Sequence, residues 1–242
     1  MFVHSLRWIS MTELSAELPQ VQGFIIENER MEQASKNGKL PRITVIPKTG
    51  SEPITIEGSS IGATVSDFWS WSCSDLVSNR LRGVLAEYIV GLALGCVTDQ
   101  VRTEWDAADL RLPDGTLIEV KSAAYIQSWQ QTQHSAVSFN ISPTTGWDAT
   151  TNTVSEERKR QADVYVFCLL KHRDKQTVNP LEVNQWDFYV MPTEQINERL
   201  GEQRTVSLSR LLSLNPATAS FATLPETLHH VMHGRDDPTL DT

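Results

Sequence analysis

Cysteine is scarce in this chain, with three among 242 residues, at Cys73, Cys96 and Cys168. A scattered, odd-numbered set excludes a disulfide framework, and the apolar neighbours of each predict buried free thiols in a reducing cytoplasm. No Cys/His spacing matches a zinc site. Long hydrophobic runs are also missing. The longest candidate, around Leu85 to Val97, is too short to span a bilayer. The N-terminal MFVHSLRWIS lacks the basic-then-apolar layout of a signal peptide. Positive charge is in deficit: 21 Lys and Arg against 30 Asp and Glu leave a net charge of −9, which argues against a protein that coats nucleic acid non-specifically. It leaves room for an enzyme whose cations line one cleft. Repeats and low-complexity tracts are absent.

What remains is an ordinary globular composition, 40% hydrophobic and 21% charged, in a chain long enough for one large domain or two small ones. Residues 1–64 form an accessory segment. A weak helical pattern runs from Met11 to Met31, and Arg42–Ile46 and Ile54–Ile56 read as strands of a hairpin about a turn at Lys48–Ser51. Ser66 or Asp67 can cap a helix starting near Phe68. Trp69 and Trp71 on it are expected in the core or an interface, because positions two apart on a helix cannot share a face. The strongest helical pattern is Arg80 to Leu94, where Leu81, Val84, Leu85, Tyr88 and Leu92 make one apolar stripe and Gly95 supplies the stop. Glu87 is the one acid in this helix, set among small and apolar neighbours. It is either partly buried, or exposed, or paired with Arg82 or Arg102.

The densest chemistry follows at Ile118-Glu119-Val120-Lys121-Ser122. On a strand, Glu119 and Lys121 point to one face and Val120 to the other. Asp109 lies upstream across a turn at Pro113-Asp114-Gly115. A three-residue turn puts Asp109 opposite Glu119 or Lys121, whereas a two-residue turn puts it opposite Val120 on the wrong face. Asp106 is the alternative acid, and Asp114 reads as a turn residue. Two acids and a lysine converging at a hairpin suit a divalent cation and a phosphate. Downstream, the glutamine-rich Gln127–His134 with Trp129 reads either as a loop meeting nucleic acid by amides and stacking or as a solvated loop with one anchoring aromatic. Val137–Ile141 alternates as a strand, and Ser155–Arg160 reads as a charged turn or helix. Ala162–Leu170 reads as a central, doubly covered strand. Trp186–Met191 is a further strand, Thr193 caps a helix to Leu200, and residues 236–242 form a frayed tail. Basic residues gather at Arg80/Arg82, Arg158–Arg160 and Lys171/Arg173/Lys175.

A helix with an embedded Glu, a strand carrying Asp and a strand ending in Glu-x-Lys together resemble the PD-(D/E)xK nuclease superfamily. The specific part is Asp109 to Ser122 (DLRLPDGTLIEVKS), and the wider match spans roughly residues 65 to 195. The chain departs from the name-giving pattern at Ala108, where the motif has proline. The resemblance implies an α/β restriction-endonuclease-like core over 65–235, a central mixed β-sheet flanked by helices. It implies a Mg²⁺-dependent DNA endonuclease serving restriction, phage defence or repair, with Mn²⁺ as a substitute. Asp109, Glu119, the Val120 carbonyl and Glu87 would hold the metal, and Lys121 would act on the attacking water or the phosphate. Arg158, Lys159, Arg160, Gln161, Ser122 and Trp129 would meet the nucleic acid, while Gln161 and Asp163, at the mouth of the central strand, are second-tier site candidates weighed against a structural role. Relatives that cut both strands work as two-fold dimers, which implies a homodimer. The alternatives are an RNA-directed nuclease and a catalytically silent module on the same fold.

Overall fold

The computed structural model describes residues 43–97, 101–102, 107–148 and 153–234. The predicted Met11–Met31 helix, Asp106 and the 236–242 tail lie outside these residues. The chain divides into two compact units, residues 1–46 and 47–242, and the second holds every helix and strand of the described residues.

Five strands make the central sheet: β3 (Leu110–Arg111), β4 (Leu117–Ala124), β8 (Val164–Leu170), β9 (Trp186–Pro192) and β11 (Ala217–Ala219). The sheet is mixed, and its order is β11-β9-β8-β4-β3. β8 has every residue buried, as its unbroken apolar run demands of a strand covered on both faces. It pairs in parallel with β4 and antiparallel with β9. Besides the N-terminal hairpin, two small antiparallel sheets accompany it. One joins β5 (Ser138–Asn140) to β10 (Thr205–Ser207), and the other joins β6 (Thr144–Asp148) to β7 (Thr153–Lys159). The charged segment read as a turn or helix is therefore strand β7.

Side chains alternate across β4, β8 and β9, so each face builds its own core. On one face Ile118, Val120, Val166, Phe188 and Val190 pack with Ala86, Ile89 and Val90 of helix α2 (Asn79–Ala93) and with Leu224 and Leu228 of helix α5 (Leu224–His233). On the other, Ala123, Tyr165, Phe167 and Met191 pack with Phe139 and Val206, with Ile196 of α3 (Thr193–Leu200) and with Leu211 of α4 (Leu208–Ser213).

α2 has the predicted length, and Gly95 follows it in the left-handed region. It lies on a different face than the stripe implied. Val84, Tyr88 and Leu92 are exposed, and the buried set is Arg82, Ala86, Ile89, Val90 and Gly91. Small residues win because they let the helix settle closely. A Cβ on Gly91 would come within 2.6 Å of Val97 Cγ2.

The N-terminal hairpin is displaced from its expected position. Residues 43–49 carry no strand, and Pro53–Ile56 (β1) pairs instead with Ser59–Thr64 (β2) across a tight turn at Glu57-Gly58. Helix α1 (Val65–Cys73) is capped by Thr64 through a reciprocal box with Asp67, rather than by Ser66 or Asp67 as cap residue. It buries none of its residues, so Trp69 and Trp71 are surface residues, not core. The thiols are also corrected: all three cysteines are free, but only Cys168 is buried, Cys96 is half-buried and Cys73 is exposed. No helix among the described residues is long and apolar enough to cross a membrane.

Phe188 is fully buried on the central sheet, far in sequence from any candidate site residue. Phe188→Ala is expected to cost about 3–5 kcal/mol, read from the urea midpoint, and an unchanged midpoint would contradict this core.

Candidate active site

The β3–β4 connection fixes the site. Leu110 pairs with Ile118 and Arg111 with Leu117, and the Leu112 N–H donates to the Thr116 carbonyl at 2.9 Å. The loop is therefore three residues, Pro113-Asp114-Gly115, and Gly115 closes it at φ +94°, a conformation costly for any residue with a Cβ. Asp114 is the turn residue expected, accepting the Thr116 N–H at 2.9 Å. Continued by one residue, this register places Asp109 across from Glu119. The Val120 N–H donates to Asp109 Oδ2 at 2.7 Å, which holds the carboxylate against the centre of the Glu119-Val120-Lys121 motif.

Glu119 and Lys121 stand on the sheet face opposite α2 and form an ion pair. Their side chains keep 21% and 26% of their exposure, enough for solvent to reach them. In register beside them on β8 are Tyr165 and Phe167. Burial pushes the Glu119 carboxyl above the usual glutamate range, and the Asp109 charge adds to the shift against the pull of Lys121. Glu87 approaches from α2. Its side chain is nearly buried and also paired, accepting from Arg102 Nη2 at 3.0 Å. Burial raises its carboxyl too, and Asp109 again contributes in the same direction. A small cleft of about 50 Å³ beside Asp109 is lined by Ala108, Asp109, Leu110, Arg111 and Leu117.

The other expected residues fare differently. Arg158 and Lys159 are exposed on β7, Arg158 donating to the Pro143 carbonyl at 2.9 Å and Lys159 standing 3.7 Å from Glu157. Arg160 is corrected by its surroundings. It is 7% exposed, and its guanidinium donates to Ile141 O, Asn197 Oδ1, Gly201 O and Gln203 O, leaving it committed to the fold. Gln161 donates to the Thr144 and Lys159 carbonyls. Asp163 accepts the Leu117 N–H at 2.8 Å and so anchors the start of β4. Ser122 falls on the α2 face of β4, away from Lys121. Trp129 is 54% exposed, but the glutamines around it serve the loop. Gln127 is buried, accepts from Arg82 and donates its backbone N–H to Gln131 Oε1 at 2.6 Å. Arg82 itself is buried and held by Val77 O and Asn79 Oδ1, and burial lowers its pKa to about 10.

Two residues at the site are not singled out by the sequence. Arg111 follows the turn-flanking Leu110 and lines the Asp109 cleft. Tyr165 looks like one more apolar position in β8, yet it lies beside Glu119, and burial followed by the Glu119 charge pushes its phenol up. Pairing β4 with β8 in parallel is the signal that finds Tyr165, and a single sequence does not display that pairing.

Among the described residues, no three His, Cys, Asp or Glu side chains form a ready-made metal cluster. Asp109 and Glu119 nevertheless supply two carboxylates with oxygen donors only. Burial and the Asp109 charge disfavour ionisation of Glu119, and a cation relieves that penalty. That set fits Mg²⁺, which takes one or two protein carboxylates and completes its shell with water and substrate phosphate.

The fold and site define an α/β protein with a carboxylate–lysine centre at a short strand edge. A family model, that of bacteriophage T4 endonuclease IV, matches residues 66–210. The chain belongs to that family, and is thereby placed among endonucleases. No curated protein matches it. Glu87, Asp109, Glu119 and Lys121 all fall within the matched span.

The raised carboxyl of Glu119 has a consequence for stability. A folded-state pKa above the unfolded one means the folded state holds the proton more tightly. The associated stability is present below the ordinary glutamate range and is lost as pH rises through the folded pKa. Glu119→Gln is therefore expected to melt higher than wild type at neutral pH, with the gap closing in acid. A variant that melts lower at neutral pH would show that the Lys121 pair outweighs the burial penalty.

Proposed function

We propose that the protein is a Mg²⁺-dependent DNA endonuclease of the PD-(D/E)xK kind. The observation that supports it best is the Val120 N–H bond to Asp109 Oδ2, which sets one acid across from Glu119 and next to Lys121. Asp109, Glu119 and the Val120 carbonyl are the groups that would hold Mg²⁺, or Mn²⁺ in its place, with Glu87, paired with Arg102, completing the shell through water, and the cation would supply Lewis-acid activation of the attacking water.

The chain's own residues do the rest. Lys121 is held by Glu119 with its ammonium partly exposed. A phosphodiester entering the site gives that ammonium a second anionic partner, and its charge stabilises the oxyanion that develops on phosphorus. Arg111, in the cleft beside Asp109, is placed to meet a neighbouring phosphate. Arg158 and Lys159 are the exposed cations of β7 that would contact the backbone, and Trp129 offers a ring for a base.

Asp109→Asn keeps an oxygen for the Val120 N–H while removing the charge, and Lys121→Ala removes the ammonium. Each is expected to lower DNA cleavage in Mg²⁺ by about 10²–10³-fold, with melting temperatures close to wild type. Cleavage retained by both would refute the assignment, and cleavage of RNA in place of DNA by the wild type would redirect it.

A two-fold homodimer is part of the same proposal, since cutting both strands takes two sites. The exposed Phe68, Trp69 and Trp71 of α1 are the surface proposed for it. Light scattering of the full chain on DNA should give a dimer mass, and a monomer mass there would remove this part of the proposal.

A further inference from the structure

We propose that His229 and His233 form a chelating site for a transition-metal cation of the Zn²⁺ class at the outer end of α5, separate from the carboxylate centre. The two residues are four apart on one helix, so their side chains stack on the same face. Both are exposed. Their ring centroids lie 4.8 Å apart, with the planes inclined at 51°.

That separation is what a shared ion requires. A zinc–imidazole bond of about 2.1 Å, added to about 1.2 Å from nitrogen to ring centre, puts each centroid about 3.3 Å from the metal. Two such rings at a near-tetrahedral angle sit about 5.4 Å apart, against the 4.8 Å found here. The rings thus lie within about half an ångström of the spacing a shared ion needs, and turning these exposed side chains would bring a nitrogen of each onto one ion. Among the described residues, neither ring makes a hydrogen bond that binding would have to break.

The neighbourhood favours a cation. Asp114, in the β3–β4 loop, is close enough to feel His233. Its carboxyl is held below the usual range mainly by the Thr116 N–H and in smaller part by the charge of His233. The described residues offer no third His, Cys, Asp or Glu ligand in a cluster here, so the site is two-toothed, with water in the remaining positions, and weaker than a closed zinc site. Imidazole nitrogens suit Zn²⁺, Cu²⁺ and Ni²⁺ and do not suit Mg²⁺. The two centres therefore differ in metal preference.

The test is calorimetric titration of Zn²⁺ into the full chain at about pH 7.5, where imidazole is neutral, with excess Mg²⁺ present to occupy the carboxylates. The variants are His229→Ala, His233→Ala, His230→Ala and Asp109→Asn. The expected result is one saturable Zn²⁺ site in wild type, His230→Ala and Asp109→Asn, weakened about tenfold or more in the other two. Zn²⁺ should also raise the melting temperature of wild type but not of His229→Ala. No saturable binding by wild type would overturn the proposal. So would binding unchanged in His229→Ala and His233→Ala, equal loss in His230→Ala, or loss in Asp109→Asn. The Asp109→Asn result keeps this site distinguishable from the proposed catalytic one.

Discussion

The hydrogen bond from the Val120 N–H to Asp109 Oδ2 is the contact on which the site depends. β4 has a full-length neighbour only in β8, while β3 covers it for two residues, opposite Ile118 and Leu117. At Val120 the ladder on that side has run out, and Asp109 supplies the acceptor that a longer β3 would have given. A buried donor left without an acceptor costs roughly 1–3 kcal/mol, so the fold itself holds the carboxylate in place. One interaction thus completes the sheet edge and delivers an acid to the residues on either side of Val120. The hairpin loop matters for the same reason. A loop one residue shorter would turn Glu119 and Lys121 away from Asp109, because strand faces alternate with every residue.

Charge at the site is arranged against its own comfort. Glu87 and Glu119 are both pushed toward protonation, first by burial and with Asp109 adding to it, even though Arg102 and Lys121 are paired with them. A protein selecting only for stability would replace such acids with amides or apolar groups. Their presence in the buried wall of a sheet edge is the pattern expected where carboxylates serve a cation or a reacting phosphate. Tyr165 belongs to the same environment, filling the face beside Glu119 and limiting the water that screens it.

The sheet was legible in the sequence wherever burial is uniform or a turn is chemically specified. The apolar run of β8, the Pro-Asp-Gly loop, the Glu119/Lys121 alternation and the Gly95 stop each follow from local physics. What misled was competition between neighbours of similar apolarity. The wide stripe of α2 offered two faces, and close packing chose Ala86 and Gly91 over Tyr88 and Leu92. In the N-terminal hairpin, Ile54–Ile56 found its partner after the Glu57-Gly58 turn rather than before it. Arg160 reads as a contact for substrate, and Asp163 as a second-tier site residue, because nothing local tells a solvated charge from one that ties loops together. Their partners lie across the fold, at Asn197, Gly201 and Leu117.

Those internal partners also change how the −9 charge bears on a polyanionic substrate. Arg82 and Arg160 are buried and donate to backbone carbonyls and side-chain amides, and Lys171 is paired with Asp187. These cations still contribute to the long-range field, but they are poorly placed to touch a phosphate. Exposed cations remain: Arg111 in the cleft, Arg158 and Lys159 on β7, the partly exposed ammonium of Lys121, and Lys48, Arg80, Arg199, Arg204 and Arg210 on other segments. Against a net charge of −9, long-range attraction for a polyanion is weak. Discrimination then rests on what happens at the hairpin. In the proposed endonuclease, a phosphodiester would be held there by Lys121 and its neighbours only when it reaches the carboxylates, where bond breaking would occur.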